Sequence, residues 1–496
     1  MTKKNLFLIS FFVFLFGTTQ ASVPLSSRMV DSITYHLYQE KRWDSLIDIG
    51  KEALHQEIDF FYLRVRMGVA YYEKKKYIVA VEHFSKAHEF NSADTFNNEY
   101  LYLALLNANR FEDAAPLTAF MPPDVRRELE VKKSVVEQVH IEAGPTFNPS
   151  YNKKANANLM GSEGIYGEND LYGNSFYGNA SLTLNLSRRV NLTAGYSYLS
   201  FQKKKRIQNT FYTDRLDSTV VTSWGYQNYY SFPLNSTDTT WSYKVRQDEL
   251  YLASTIRPAT GMRIIPYFHL LNVRYTDFTA SYQTQTVNDT SYFLAFDSSY
   301  TTFPYTRSIY SYRQADTSFY NFVAGISLYQ DFSRVTIGLT GSWSNLNNKQ
   351  QAQAGYRMTW FPLGNINLYG VLGFTGFWQG NDSRLLAEAR IGGRIASWLW
   401  AEGNLLYGDY TNTNISEGSI VYNNSDKIDY RLGANLTFPL SKHFTISLIY
   451  QYFSKESPVL YYTRETVNDI ENVATPQVRY QKYSTHSIIG GITWKL

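Results

Sequence analysis

Charged side chains recur at alternate positions in three neighbouring segments of the carboxy-terminal half of the chain. Glu388 and Arg390 lie in the first segment, Glu402 in the second, and Asp429 and Arg431 in the third. If these segments are adjacent strands, residues spaced by two share a face, and acids and bases meet across the strands. The pattern suits ion-pair ladders, a selectivity constriction or cargo track, or a pair of catalytic carboxylates. We favour ladders over a constriction or track, and both over catalysis.

The remaining reactive residue types form no catalytic or metal-binding pattern. The eight histidines are scattered, and His83 and His88 are five residues apart, whereas a helical metal pair needs a spacing of four. No phosphate-binding glycine loop, His-Glu-x-x-His or Gly-x-Ser-x-Gly motif is present. The absence of cysteine excludes disulfides, thiolate metal sites and a lipidated cysteine. We therefore expect no enzymatic activity, no cofactor and no metal.

Residues 136–496 read as alternating strands of about ten residues, whose connections are alternately very short and longer. Tight turns are predicted near residues 188, 259, 332, 363, 396 and 440. Longer connections are predicted at 147–173, 203–242, 281–315, 345–350, 378–383, 410–426 and 454–480. The expected fold is a fourteen-stranded antiparallel barrel embedded in outer-membrane lipid, and the 17% aromatic content fits its interfacial girdles.

Alternation also assigns each strand a lipid face and a lumenal face. Leu385 and Ile391 are predicted to face lipid, as is Ile428, and a bulge is predicted near Pro266. The reverse assignment would place arginines in lipid, at about 2–4 kcal/mol each. The predicted lumen lining is Arg357, Arg384, Glu388, Arg390, Glu402, Asp429 and Arg431.

Residues 22–135 have a helical pattern with an internal period of 34 residues, which is the tetratricopeptide period. The middle copy carries most of that family's pattern, and the flanking copies depart from it, as capping repeats do. The residues predicted to pack the repeats are Trp43, Gly68, Tyr71, Tyr77, Ala80, Phe84, Ala87 and Phe111. A helical-hairpin domain without a true repeat is the alternative.

The start of the chain and the join between its halves complete the domain plan. Residues 1–21 have two lysines before an apolar run, which predicts a signal peptide. No long basic run supports nucleic acid as a partner.

Because no flexible Gly/Ser linker precedes residue 136, the helical domain should lie close under the barrel mouth. The predicted class is α+β in separate domains: a periplasmic tetratricopeptide-like domain, 22–135, and an outer-membrane barrel, 136–496.

This architecture resembles the surface lipoprotein assembly modulators of Gram-negative bacteria, which help cargo proteins cross the outer membrane. The resemblance covers the mature chain as architecture. Its sequence-specific part, the repeat residues such as Gly68 and Phe84, belongs to the tetratricopeptide family in general. It implies protein export, with a periplasmic protein or peptide bound by the repeats.

Two alternatives stay open. The architecture is also similar to exopolysaccharide export porins, for which Tyr177, Tyr369, Glu388 and Asp429 are candidate residues along a sugar path. A passive channel or surface-binding barrel, whose periplasmic domain binds a scaffold, is the third interpretation.

Overall fold

The computed structural model describes residues 25–128, 134–151, 158–160, 164–212, 215–222, 225–231, 234–292, 300–467, 470–473 and 476–496. The predicted signal peptide, 1–21, lies outside the described residues. The described chain consists of an amino-terminal helical domain and a β-barrel.

The helical domain consists of antiparallel helical hairpins. Its helices are α1 (Ser27–Gln39), α2 (Trp43–His55), α3 (Phe61–Glu73), α4 (Tyr77–Phe90), α5 (Thr95–Asn107), α6 (Phe111–Ala114), a 3₁₀ turn (Ala115–Ala119) and α7 (Pro123–Glu128). The turn within each hairpin holds one left-handed residue, Lys41, Lys75 or Asn109, with φ of 55°, 57° and 58°. These residues are 34 positions apart, so the predicted repeat is confirmed in the backbone. None of the described helices is long and apolar enough to cross a membrane.

The core of the helical domain contains the residues that the repeat pattern singled out. A Cβ atom on Gly68 would lie 2.5 Å from Cε1 of Phe84, so glycine is what allows α3 to approach α4. Ala80, Phe84 and Ala87 are fully buried. Tyr71 is buried and stacks on a histidine ring of α4 with centroids 5.2 Å apart.

Aromatic residues begin the second helix of each hairpin, and only the third hairpin departs from the regular form. Trp43 packs edge-to-face on Tyr38 with ring centroids 6.0 Å apart, and Tyr77 packs in the same way on Tyr72 at 5.3 Å. Phe111 begins α6, but its side chain lies outside the described part of the chain. The helix stops at Ala114, and the chain continues as a 3₁₀ turn that contains Pro116.

The barrel has fourteen antiparallel strands. They are β1 (Val136–Phe147), β2 (Gly164–Ser187), β3 (Val190–Tyr212), β4 (Leu234–Ile256), β5 (Met262–Tyr292), β6 (Tyr300–Asp331), β7 (Val335–Ser344), β8 (Gln351–Trp360), β9 (Leu368–Gln379), β10 (Asp382–Ala396), β11 (Leu399–Tyr407), β12 (Lys427–Pro439), β13 (Phe444–Val467) and β14 (Gln477–Lys495). Each strand pairs with its neighbours in the chain, and β14 pairs with β1, so the barrel is closed. The predicted fold class and strand number are confirmed.

All six tight turns lie at one end of the barrel, which we call the short-turn end. At the opposite, long-loop end, several predicted loops are wrong. β5 and β6 pair without a break from Met262 to Tyr292, so most of 281–315 is a strand hairpin. Outside lipid neither face of a strand has to be apolar, so a segment rich in serine, threonine and tyrosine can form a regular strand. The polarity of this segment therefore wrongly predicted a loop.

The register between β4 and β5 is unchanged on either side of Pro266, so the predicted bulge is absent there. The proline only removes one hydrogen-bond donor from the strand ladder.

The outer face of the barrel carries a continuous apolar belt. Its exposed side chains include Leu250, Leu252, Phe268, Ile326, Leu328, Leu339, Leu372, Phe374, Leu385, Ile391, Leu405, Leu432, Ile446, Leu448, Ile488 and Ile492. Exposed Trp360, Trp398 and Trp494 lie toward the short-turn end. An apolar surface of this extent, bordered by aromatic rings, is the surface of a barrel that spans a membrane. The predicted lipid face of β8, β10 and most of β12 is confirmed.

Candidate functional site: the barrel lumen

Residues 408–426, which connect β11 to β12, fold into the lumen. Two short strands, Thr413–Ile415 and Ile420–Tyr422, pair with each other. Three left-handed residues in a row, Ser416, Glu417 and Gly418, turn the chain between them. We call this segment the lumenal hairpin. The sequence predicted a longer connection between strands at 410–426, and the structure corrects this to a strand pair inside the lumen.

The tip of the lumenal hairpin reaches the opposite wall of the barrel. The Tyr251 hydroxyl of β4 donates to the carbonyl of Glu417 at 3.0 Å. Nδ1 of His269, on β5, lies 2.7 Å from the carbonyl oxygen of Gly418. A Cβ atom on Gly418 would lie 2.6 Å from the Tyr267 ring, so the tip fits tightly against β5. Because β4 and β5 lie halfway round the ring of strands from β11 and β12, the hairpin crosses the whole lumen.

Paired polar groups hold the first strand of the hairpin to β7 and β8. Nε2 of Gln353 donates to the carbonyl of Asn414, and the Asn414 backbone N–H donates to Oε1 of Gln353, both at 2.9 Å. Nδ2 of Asn414 also donates to Oγ of Ser342 at 3.1 Å. These polar atoms are buried and bonded to one another, which makes the hairpin a specifically docked element.

An ionic contact joins the hairpin tip to the barrel wall. Arg357 donates to Glu417 at 3.1 Å and to Glu388 at 3.1 Å, and it lies 3.2 Å from the Tyr329 hydroxyl. Tyr329 in turn donates to Glu417. The three charged side chains are at most one quarter exposed. We call Tyr329, Arg357, Glu388 and Glu417 the latch.

The other sequence-predicted lumenal residues form ion pairs and hydrogen bonds on the wall. Arg390 pairs with the latch residue Glu388. Arg384 binds the Asp409 carboxylate at the hairpin base at 2.7 Å. Glu402 accepts hydrogen bonds from Tyr369 at 2.7 Å and from Asn435 at 3.0 Å. Arg431 is buried and donates to the Tyr422 hydroxyl of the hairpin at 2.7 Å. The arrangement matches the ladder interpretation more closely than a row of free charges.

Asp429 is the exception, and its predicted lumenal position is wrong. A β-bulge between Ile428 and Tyr430 shifts the alternation of β12. Ile428, predicted to face lipid, is therefore buried in the interior. Asp429 instead lies on the outer face beside Lys427, whose ammonium binds Asp429 at 2.7 Å and Glu456 at 3.2 Å.

A second contact joins separate strands at the long-loop end. Beyond the end of β1, the tip of β2 crosses over and pairs with β13, where Asn169 lies opposite Val459. Oγ of Ser457 donates to the carbonyl of Asp170 at 2.9 Å, and the hydroxyls of Tyr172 and Ser425 lie 2.8 Å apart. The tip of β2 is thereby joined both to β13 and to the end of the lumenal hairpin.

The helical domain docks on the short-turn end of the barrel, as predicted. The turn between β8 and β9 inserts into it: Phe361 and Ile366 pack on the helical core. The Gly364 carbonyl accepts from the Ile78 N–H at 2.9 Å. Next to it, Asp331 at the end of β6 forms a 3.2 Å ion pair with Arg110.

The first helices of the three hairpins keep an exposed aromatic surface. Tyr35 on α1, Tyr62 on α3 and Phe96 on α5 are 48%, 60% and 42% exposed. The Arg66 guanidinium lies 5.3 Å from the Tyr35 ring centroid and 5.6 Å from that of Tyr62, and Asp31 holds it at 2.7 Å. We call Tyr35, Tyr62, Arg66 and Phe96 the aromatic face. Repeat solenoids bind partners on surfaces of this kind.

The histidines do not form a metal site in the described part of the chain. No cluster of three metal-ligating side chains occurs among the described residues. His83 is buried beside Arg64, and burial, followed by that positive charge, lowers its pKa to about 3. Nδ1 of His88 instead lies 2.6 Å from Oδ1 of Asn98.

The residues that sequence reasoning missed all belong to long-range contacts. Glu417 and Asn414 lie in a polar connection that resembles any outer loop, and Tyr329 carries no charge that would mark it as a partner of Arg357. The run Ser416-Glu417-Gly418 indicates a tight turn, but nothing in it indicates the direction in which the hairpin points.

No protein-family model and no curated protein matches the chain. Among solved structures, MamA from AMB-1 is similar over 22% of this chain and 57% of its own, at 19% identity and a TM-score of 0.18. A Pseudomonas aeruginosa FadL homologue is similar over 72% of this chain and 90% of its own, at 9% identity and a TM-score of 0.37. A bacterial polysaccharide outer membrane secretin is similar over 73% of this chain and 100% of its own, at 10% identity and a TM-score of 0.31. These similarities are weak, and the fold assignment rests on the strand pairing and the apolar belt.

Proposed function

We propose that this protein is a gated outer-membrane transporter that exports protein, with a surface lipoprotein as its cargo. In this proposal the helical domain lies in the periplasm and recruits the cargo or its carrier. The barrel then passes the cargo outward once the lumenal hairpin has moved. One combination of features supports the proposal most strongly. A specifically docked hairpin crosses the lumen, and the helical domain is bound at the short-turn end of the same barrel with its aromatic face exposed.

The closed lumen favours gated transport over a passive channel. The hairpin spans from β11 and β12 to β5, and its buried polar atoms are bonded to the wall. A hairpin docked across the lumen narrows the path that a passive channel would need, which is why we favour a barrel whose hairpin moves. Polysaccharide export is also less well supported, because Asp429 lies outside the lumen and Glu388 is committed to two arginines.

The aromatic face supports a protein cargo. Exposed tyrosine and phenylalanine rings bind extended peptide through apolar contact, and Arg66 holds two of them, Tyr35 and Tyr62, by cation–π interaction. To test recruitment, a photoreactive amino acid is placed at Tyr62, with exposed Lys51 on α2 as the matched control position. We expect crosslinks to a secreted or lipidated protein from position 62 and not from position 51. Capture of polysaccharide-synthesising enzymes, or of envelope scaffold proteins alone, would contradict protein export.

The gating step is tested with a reversible lock. The chain has no cysteine, so Gln353→Cys with Asn414→Cys introduces a single pair of thiols, at positions joined by hydrogen bonds. Cysteine is shorter than glutamine, so a short bis-thiosulfonate crosslinker joins the pair in place of a direct disulfide. We expect crosslinking to stop appearance of cargo at the cell surface and reduction to restore it. Export that continues through the crosslinked barrel would show that the hairpin does not have to move. Either single variant controls for loss of the hydrogen bonds.

A further inference from the structure

A positively charged recess lies on the outer face of the barrel, beyond the apolar belt and away from the lumen. It is lined by Lys244 and Arg246 of β4, Arg274 and Thr276 of β5, and Asp316 and Ser318 of β6. The pairing of β4 with β5 extends to Arg246 and Arg274, and the pairing of β4 with β3 continues past Lys244 without a register shift, so alternation gives the direction of these three side chains.

The arginines of this recess face the membrane side of the sheet. Arg246 lies on the same face of β4 as exposed Leu250 and Leu252, and Arg274 lies on the same face of β5 as exposed Phe268. The inward positions between them, Gln247 among them, are buried. The recess is therefore an external surface that adjoins lipid.

Its height places the recess at the lipid headgroups. Arg246 is four residues beyond Leu250, about 13 Å along the strand and about 10 Å along the membrane normal for a strand tilted by roughly 40°. Exposed Tyr320 lies between the two levels, in line with Asp248, and exposed Tyr196, which is opposite Leu250, reaches Asp248 with its hydroxyl. Tyrosine belts mark the boundary between hydrocarbon and headgroups, so the arginines lie just beyond it.

The charges of the recess are incompletely balanced. Arg246 and Arg274 are directly opposite each other across the strand pair, an arrangement that is destabilising for like charges. Arg274 pairs with Asp248, which also accepts from Tyr196. Arg246 and Lys244 form no ion pair with any other residue that the structure describes, and Asp316 is the remaining acid beside them. An anion between Arg246 and Lys244 would relieve the repulsion.

We propose that this recess binds the phosphate of an anionic lipid headgroup in the leaflet at the long-loop end. The two guanidinium groups and the ammonium would contact the phosphate oxygens, and the apolar belt below them would contact the acyl chains. The site is separate from the lumen and does not depend on the nature of the cargo. A phosphorylated outer-leaflet glycolipid and an anionic glycerophospholipid share this chemistry.

The test uses the full-length protein, purified in detergent, stripped of lipid and analysed by native mass spectrometry after lipid is added back. The probes are phosphorylated lipid A, its dephosphorylated form, phosphatidylglycerol and phosphatidylethanolamine. The variant Lys244→Gln/Arg246→Gln is compared with Arg188→Gln/Lys442→Gln, which removes two exposed positive charges from the short-turn end. Heat-modifiable migration in gels verifies that each variant folds.

We expect the wild type and the short-turn variant to retain phosphorylated lipid A, and the recess variant to lose about fivefold in affinity for each charge removed. Additional retention of phosphatidylglycerol would assign the site to anionic headgroups in general, and retention of lipid A alone would assign it to the glycolipid phosphates. Equal loss in both variants, equal retention in both, or undiminished binding of the dephosphorylated lipid would each overturn the proposal.

Discussion

Removal of the Glu417 side chain should release the lumenal hairpin from the barrel wall. Its carboxylate accepts hydrogen bonds from Arg357, at 3.1 Å, and from Tyr329. Hydrogen bonds to a charged group contribute about 1.5–3 kcal/mol each, which sets an upper limit of about 3–6 kcal/mol for the two. Arg357 keeps its pair with Glu388 in the variant, and Glu417 is 22% exposed, so we expect a smaller effect. A loss of roughly 2 kcal/mol corresponds to an about thirtyfold shift toward the undocked hairpin.

Single-channel recording in planar bilayers measures that shift directly. We expect Glu417→Ala to raise the fraction of time spent in a conducting state by about thirtyfold over the wild type, because the docked hairpin crosses the lumen. The matched control is Glu402→Ala. Glu402 also accepts two hydrogen bonds inside the lumen, but from Tyr369 and Asn435 of the wall and not from the hairpin.

The comparison of the two variants decides between the latch and a general loss of lumenal charge. An equal rise in both would show that removal of any lumenal carboxylate opens the barrel. Glu417→Ala could leave the open fraction unchanged while deletion of residues 411–422 raises it. That result would show that the remaining hairpin contacts are enough to hold the hairpin in the lumen, and that the latch is not the controlling contact. No rise in either would contradict the position of the hairpin itself.

Other expectations follow from individual contacts. Gly68→Ala places a Cβ atom 2.5 Å from the Phe84 ring, so the free energy of unfolding of the helical domain should fall by about 1–3 kcal/mol. Urea unfolding, monitored by protease resistance, measures this change. Gly403→Ala, whose Cβ atom meets no atom within 4 Å, should cost little. Burial lowers the pKa of His83 to about 3 in the folded chain, whereas the unfolded chain takes up that proton near pH 6.5. The free energy of unfolding should therefore be constant above pH 6.5 and fall by up to about 1.4 kcal/mol per pH unit below it. His83→Gln should flatten this profile. Arg390→Leu should leave the conductance and ion selectivity of the resting barrel unchanged, since Arg390 is paired with Glu388 and the hairpin crosses the lumen. A changed selectivity would support a constriction.

The sequence predicts the repeating part of this fold and misses what is particular to it. Period-two alternation identifies lipid-facing Leu385 and Ile391, and the 34-residue period identifies Gly68 and Phe84, because both signals repeat along the chain. The bulge at Ile428 and Asp429 is a single local irregularity, and one extra residue is enough to reverse the face assignment of both.

The direction of the lumenal hairpin is a different kind of information. Its position depends on contacts between residues far apart in sequence, such as Asn414 with Gln353 and Gly418 with His269. Polar side chains satisfy their hydrogen bonds equally well with water above the barrel or with the wall inside it, so composition does not separate the two arrangements. Of the four latch residues, only Arg357 and Glu388 could be predicted from the sequence, because their charges have to be balanced wherever the hairpin lies.

The latch and the docking site of the helical domain share two strands, which predicts that they are coupled. On β6, Tyr329 of the latch is two residues, about 7 Å, from Asp331, which binds Arg110 of the helical domain. On β8, Arg357 lies four residues before Phe361, which follows the end of the strand and packs on the helical core. Asp331→Ala should loosen the domain and also raise the open fraction, by less than Glu417→Ala does. If the two contacts are coupled, the double variant should depart from the sum of the single effects by more than about 0.5 kcal/mol; additivity within that limit would mean that docking of the helical domain and closure of the lumen are independent.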